Sequence, residues 1–327
     1  MSEFWSGKRV LVTGIAGFVG ANLARAAHDA GATVGGIDRA PSSPSMRALG
    51  VDAKAIVADV TDLRAMVNAM AETRPDVVYH LAGMGHIADC QAAPFPAFDV
   101  NAMGTVVVLE AVRRAAPEAT VVCASSNHVY LGGLSGSESR YNEFDDLDAI
   151  DAYGSAKIAA DLAVRCYGQS YDLRAAAVRH VNSYGPADPH VSHLVTGAIL
   201  SCLEGKRPVL RSDGSAIKGY LHVADVVGAY LAVAERIDDL PGHAVNVAAP
   251  ACEASALEVA REVMWAAGMD GEPEVLNQNL SQRDYVERLD DSLIRTFGWA
   301  PRFGLRTGIL DVYEWYRAHG GGAWLND

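Results

Sequence analysis

The segment RVLVTGIAGFVGANLARAA, residues 9 to 27, constrains the fold more than any other stretch of the chain. A β-branched apolar run passes into Gly14, Gly17 and Gly20 and then directly into an amphipathic helical pattern. Glycines in that arrangement meet three demands: a tight turn after a strand, close approach of the backbone to a pyrophosphate, and close packing of helix on strand. Phe18 and Val19 lie inside the same string. The next strand-like run, ATVGGID, ends in Asp38, 24 residues after Gly14, where an acid that bonds a ribose hydroxyl is expected. The segment therefore predicts a dinucleotide site. Asp38 favours NAD over NADP, because a carboxylate accepts from the ribose hydroxyls and repels an added phosphate, whereas Arg39 is the residue type that accommodates one.

The rest of the first half keeps the same alternation. Apolar runs at AKAIVADV, DVVYHLA, ATVVCASS and RAAAVRHVNSYG are separated by helical patterns such as DLRAMVNAMAE and NAMGTVVVLEAVRRAA. Strand and helix in alternation predict an α/β fold, a Rossmann-type doubly wound parallel sheet with helices on both faces. After GPADPH, residues 185 to 190, the order loosens into LVTGAILSCLEG, PVLRSDG, IKGYLHV and further helical patterns, which predicts a smaller C-terminal α/β lobe. The expected division is 1–185 for the dinucleotide-binding domain, with a return segment near 218–240, and 186–327 for a substrate-binding lobe.

Composition excludes some partners. The 327 residues carry a formal net charge of −13 with no Lys/Arg cluster, which argues against a nucleic-acid or anionic-membrane surface. Five scattered cysteines form no C-x-x-C pair, the pattern of reduced thiols in a cytoplasmic protein. The histidines show no metal-ligand spacing, so no metal is expected. The N-terminus lacks a basic-then-apolar leader, and no run approaches ~18 apolar residues.

DAYGSAK, residues 151 to 157, opens a second helical pattern in which Tyr153 and Lys157 share one face. A free phenol has a pKa of ~10 and is a poor base near neutrality. A neighbouring ammonium and a cationic nicotinamide would both favour the phenolate. Tyr153 could then take or return a hydroxyl proton while a dinucleotide exchanges hydride with the same carbon.

With these motifs in place the chain resembles the extended short-chain dehydrogenase/reductase family, the NAD-dependent epimerase/dehydratases acting on nucleotide sugars. The likeness runs through TGIAGFVG, Asp59-Val60, HLAG, NAMGT, SSNHVY, YGSAK, NSYGP, YLHVADV, FGWAPR and the closing Trp315-Tyr316. It implies a C-terminal lobe covering a nucleoside diphosphate sugar and a homodimer paired through helices, including the one with Tyr153 and Lys157. By motif matching, Asp59 and Val60 lie near the adenine, while Leu81, Ala82 and Gly83 line phosphate and ribose. Lys157 holds the nicotinamide ribose, and Asn101, Ser125, His180 and Val181 complete the implied cofactor set. Asn182 matches a substrate-phosphate contact, with Gly85 and His86 on the same side. Where relatives commonly have Arg-Asp, this chain has Lys218-Gly219, and Arg211 and Arg283 are candidates to compensate.

SSNHVY, residues 125 to 130, bears on the reaction. Ser126 matches the residue that bonds the reacting hydroxyl. The next two positions are acidic in 4,6-dehydratases and small in simple 4-epimerases. In GDP-fucose synthase and GDP-mannose 3,5-epimerase the second is a cysteine acid/base. Here they are Asn127, which cannot usefully exchange a proton, and His128, which can. His193 approximately matches the partner acid/base of GDP-fucose synthase, with nucleotide contact the competing role. The resemblance implies an NAD-dependent nucleotide-sugar epimerase. A 4,6-dehydratase is the alternative, as is a sugar or uronate dehydrogenase, whose own segment SSNH resembles.

Overall fold

A computed structural model describes residues 3–130, 139–240, 243–278 and 288–325. The first half supplies β1 (Arg9–Thr13), β2 (Thr33–Asp38), β3 (Ala55–Val57), β4 (Val77–His80), β5 (Thr120–Ala124) and β6 (Ala175–His180). The second supplies β7 (Asn182–Tyr184), β8 (Val209–Leu210), β9 (Ile217–His222), β10 (Ala244–Val247), β11 (Glu253–Ser255) and β12 (Glu274–Val275). Seven of these form one parallel sheet in the order β10-β6-β5-β4-β1-β2-β3. Its central strands are buried on both faces, which is why they read as unbroken apolar runs. Strand order reverses between β1 and β4, and the crevice at the carboxyl ends there is the ligand position of open α/β sheets.

Two apolar layers cover the sheet. On one face the Phe18–Asp29 and Val223–Glu235 helices pack together through residues such as Ala21, Leu23, Val226 and Tyr230. On the other lie the Leu63–Thr73, Gly104–Ala115 and Ala152–Tyr171 helices, with Met66, Val108 and Val164 buried. The chain thus returns to the large sheet through 223–247, extending past the 218–240 segment expected, because β10 pairs with β6.

RAAAVRHVNSYG, a single apolar run in the sequence, divides into strands of two different sheets. β6 pairs with β5 and β10, whereas β7 leaves at Val181 to pair with β9. Gly219 permits this close approach, since a Cβ there would lie 2.8 Å from Val181 Cγ1. The strands β11-β9-β7 and β12-β8 make two small sheets. The Leu194–Leu203, Ala256–Ala266 and Leu305–Ala318 helices share a separate core with Tyr184, Ile199, Val263 and Tyr316.

YLHVADV and FGWAPR meet structurally. The buried Asp225 carboxylate accepts from Arg302 Nε (3.2 Å) and Phe303 N (3.1 Å), and Trp299 Nε1 donates to the Asp225 carbonyl (2.9 Å). These motifs fasten the C-terminal segment onto the Val223–Glu235 helix.

One helical stretch is long and apolar on average although it contains no unbroken apolar run, being interrupted by Asp99, Asn101 and Glu110. Pro94–Ala115, 22 residues containing an 18-residue window of mean hydropathy 1.4, is long and apolar enough to cross a membrane by length and composition. Half of that window is buried, and the stretch packs against the Leu63–Thr73 and Ala152–Tyr171 helices. Its apolarity serves the core on one side.

Candidate active site

The predicted cofactor residues come from the carboxyl ends of parallel strands, which brings them to one edge of the sheet. Gly14, just past β1, has φ +73°, and a Cβ there would lie 2.6 Å from Ala82 N. Only glycine lets the loops after β1 and β4 meet at the switch point. At Gly20 a Cβ would lie 2.1 Å from the Gly14 carbonyl oxygen, so the third glycine sets how closely the helix packs on β1. Gly17 is exposed and begins the helix without a side-chain cap. The N–H groups of Phe18, Val19 and Gly20 are therefore first-turn donors directed outward from the helix start, with no acid nearby in that turn. This cradle fits a pyrophosphate.

Asp38 ends β2 beside that loop and accepts from Ala16 N (3.0 Å) and Ala40 N (3.3 Å). Arg39 is exposed, and its charge helps Thr61, the larger influence, to hold the Asp59 carboxyl below the usual range. Val60 is buried against Gly104. Asp59 and Val60 follow β3 at the same sheet edge.

A buried hydrogen-bond chain supports the loop after β4. Ala82 N–H donates to Thr13 Oγ1 (3.3 Å), which lies 2.8 Å from His80 Nδ1. His80 Nε2 lies 3.1 Å from Thr105 Oγ1, and that hydroxyl donates to the Asn101 carbonyl (2.7 Å). The directions agree if His80 is the neutral Nε2–H tautomer. Burial, reinforced by Lys157, lowers its pKa to about 3. Asn101 sits in a π-helical turn, Asp99–Met103, where its amide bonds Met84 N (2.8 Å) and Met84 O (3.1 Å). It thereby shapes the Gly83–Gly85 loop. A Cβ at Gly83 would lie 2.7 Å from Asn101 Oδ1 and 3.5 Å from Lys157 Nζ.

Ser125, Ser126, Asn127 and His128 are all buried where β5 ends. Lys157 Nζ donates to the Ala124 carbonyl (2.9 Å), placing the ammonium at that strand end; burial lowers its pKa to about 8. The Ser126 hydroxyl accepts from His128 N (3.1 Å) and donates to Asn127 Oδ1 (3.3 Å). Asp151 caps the Ala152–Tyr171 helix, its Oδ1 accepting from Tyr153 N and Gly154 N, each at 3.0 Å. The other carboxylate oxygen lies 2.7 Å from His128 Nε2, and the His128 and Tyr153 rings are 5.5 Å apart. This strand end therefore gathers Ser126, Lys157 and the start of the Tyr153 helix.

The substrate-side candidates are less concentrated. His180 Nδ1 meets the Val181 carbonyl (2.7 Å), and Val181 is buried. Asn182 begins β7 and donates through Nδ2 to the Gly219 carbonyl (3.2 Å). His193 Nδ1 lies 2.8 Å from Asp188 Oδ2, a fully buried carboxylate that also accepts from Thr196 Oγ1 and His190 N. His86 precedes a short helix and pairs with Asp89 at 3.4 Å, while Gly85 is exposed. Lys218 lies in β9 opposite Ala254. Arg211 is exposed beyond β8, in the two-stranded sheet, and its carbonyl accepts from Gln278 N (2.7 Å). Arg283 lies outside the described residues.

Sequence reasoning missed a second buried network. Arg179 and Asp161 form a fully buried ion pair through two hydrogen bonds, 2.8 and 2.7 Å. Asp161 also accepts from Ser125 Oγ (2.9 Å), linking the strand end before Ser126 to the helix turn after Lys157. Asp161 lies four residues after Lys157, on the same helical face, and that spacing was the available signal. Thr13, Thr105 and Asp151 were missed as well. Among the described residues no group of three His, Cys, Asp or Glu side chains is arranged to hold a metal ion.

Similarity to known proteins agrees with this architecture. The model of the NAD dependent epimerase/dehydratase family matches residues 10–248. A dTDP-glucose 4,6-dehydratase of Mycolicibacterium smegmatis is 31% identical, with 95% of this chain and 94% of that one covered. A UDP-glucose 4-epimerase of the same organism is also 31% identical, over 94% of this chain and 98% of that one. Among solved structures, the Thermus thermophilus UDP-glucose 4-epimerase complex with NAD superposes with TM-score 0.83 at 28% identity, covering 94% and 99% of the two chains. With its glycine cradle, switch-point crevice and Tyr153/Lys157 helix, this chain is an enzyme of the NAD-dependent epimerase/dehydratase family.

Proposed function

We propose that the protein is an NAD-dependent nucleotide-sugar epimerase working through a transient keto-sugar. The observation that carries this reading is the strand end where Ser126, Lys157 and the Tyr153 helix meet, with neutral Asn127 where a dehydratase would place an acid. NAD, when bound in the glycine cradle, supplies reversible two-electron oxidation of a ring carbon. Tyr153 removes the proton of the sugar hydroxyl on that carbon, and Ser126 holds the same oxygen. Lys157, buried and lowered to about 8, is the cation beside them. Inversion is complete when that two-electron oxidation is reversed on the other face of the keto-sugar carbon and Tyr153 returns the proton to its oxygen.

On the cofactor side, Gly14, Gly17, Phe18, Val19 and Gly20 take the pyrophosphate and Asp38 the ribose. Asp59, Val60, Leu81, Ala82, Gly83, Ser125, His180 and Val181 line the remainder. NAD is preferred over NADP because Asp38 stands ready as an acceptor while the Arg39 charge is shared with Asp59. Equilibrium binding of both dinucleotides tests this. Asn182, His193 and Lys218 face a nucleoside diphosphate in this reading, and 186–327, less the 223–247 return, forms the lobe that covers it.

A second reading has specific support: the dehydratase of M. smegmatis is as similar as the epimerase. The SSNH segment supports a third, a sugar or uronate dehydrogenase. Incubation with UDP-, GDP-, CDP-, ADP- and dTDP-sugars in deuterated water separates them. A new epimer without label or net redox change supports the proposal. Loss of water indicates the dehydratase, and accumulating NADH indicates the dehydrogenase.

A homodimer belongs to the same proposal. Phe95, Met103 and Leu162 are large, apolar and exposed on adjoining helices. Sedimentation equilibrium should return twice the 34.6 kDa chain mass. A cytoplasmic location accords with five free thiols, four of them buried.

A further inference from the structure

Ser126 and Tyr153 reach the site from different elements, one from the end of β5 and the other from the first turn of the Ala152–Tyr171 helix. Two hydroxyls that must address one sugar oxygen need a fixed separation, and a connection runs between them. His128 N–H donates to Ser126 Oγ at 3.1 Å. The ring of the same residue meets Asp151 at 2.7 Å, and the second oxygen of Asp151 holds the Tyr153 and Gly154 amides. Both side chains of the pair are largely buried, at 7% and 18% exposure. The helix start also packs directly on the imidazole, since a Cβ at Gly154 would lie 3.1 Å from His128 Cδ2.

We propose that His128 and Asp151 are positioning residues, a linked pair that fixes Tyr153 relative to Ser126, and that His128 does not itself exchange a proton with the sugar. This rests on the proposal that Ser126 and Tyr153 act on one sugar hydroxyl. Asp151 is suited to both halves of the task. As the N-cap it bonds the first-turn amides with one oxygen, and a carboxylate leaves the other oxygen for His128. A serine in its place keeps the cap but cannot also reach the imidazole.

The test compares His128→Ala, His128→Gln, Asp151→Ser and the double variant His128→Ala/Asp151→Ser, all loaded with NAD. With a converted sugar nucleotide, each of His128→Ala and Asp151→Ser is expected to lower kcat about tenfold or more, the scale of a misplaced reacting group, with KM little changed. The double variant should lose no more than about threefold beyond the worse single variant, because both break one connection. His128→Gln, which keeps a donor for Asp151, should recover part of the loss. Losses that multiply in the double variant overturn the proposal. So does solvent deuterium entering beside the ketone in wild type and Asp151→Ser but not in His128→Ala.

A readout without turnover separates this inference from the epimerase reading. In NAD-loaded protein labelled with 13Cζ-tyrosine, the Tyr153 resonance is assigned by its loss in Tyr153→Phe. It should move in the same direction in His128→Ala and Asp151→Ser, with no further movement in the double variant. If His128→Ala does not fold, His128→Phe, which fills the same space without a donor for Asp151, and Asp151→Ser carry the comparison. An unmoved Tyr153 resonance in both single variants overturns the proposal even if the protein proves to be an epimerase. Coupled shifts in a protein that converts none of the sugars sustain the pair and refute only the functional reading.

Discussion

Replacing Lys157 by Met isolates the cost of keeping a cation at this site. The side chain is buried, its ammonium donates to the Ala124 carbonyl, and burial lowers the pKa from 10.5 to about 8. Between those two values the native protein has released the proton while the unfolded chain still holds it. The unfolded state then binds more protons, so the stability of the wild type climbs with pH across this window. One proton gives a slope of about 1.4 kcal/mol per pH unit, and the full window is worth about 3 kcal/mol. Lys157→Met has no such group, and the other titrations largely cancel between the two proteins. Urea unfolding of NAD-free protein at pH values from 7 to 10.5 should show the stability difference, wild type minus variant, rising by about 3 kcal/mol. The variant should at the same time lose sugar conversion. Parallel stability curves would refute the reasoning, because they would mean the ammonium costs the fold nothing.

Two further perturbations probe the networks beneath the site. Asp161→Asn leaves Arg179 charged and fully buried without its carboxylate, and should destabilise the protein by about 3–5 kcal/mol in denaturant unfolding; a loss under 1 kcal/mol would contradict the role assigned to the pair. His80, lowered to about 3, stays neutral in the native state while the unfolded chain takes up a proton below its ordinary 6.5. Wild-type stability should therefore fall by about 1.4 kcal/mol for each pH unit below 6.5, and His80→Gln should lack that component when the two are compared between pH 7 and 5.

What the sequence made legible follows from how locally each feature is determined. Gly14, Gly17 and Gly20 stand out because φ +73° at Gly14 and the tight contacts at Gly14 and Gly20 leave room for no other residue type. The parallel sheet was legible for a similar reason, since strands buried on both faces must be continuously apolar. Ser126 is legible only through its match to the family's segment, and β5 ends immediately before the Ser125-Ser126 pair. Its supports were hidden by distance along the chain: His128 meets Asp151 23 residues away, and Thr13 meets His80 67 residues away. Charge was misleading in one place, because Arg179 and Asp161 resemble surface residues until the fold pairs them. The division of RAAAVRHVNSYG between two sheets was likewise invisible, since it depends on Gly219 letting β9 approach Val181.

Conversion of the sugar-nucleotide panel by NAD-loaded wild type and Tyr153→Phe, followed by mass and proton NMR, tests the functional account most directly. The account predicts that wild type produces an epimer of unchanged mass and that Tyr153→Phe, with NAD affinity retained, converts it at least about a hundredfold more slowly. An epimer formed equally fast by Tyr153→Phe, or a wild-type product lighter by one water, would contradict it.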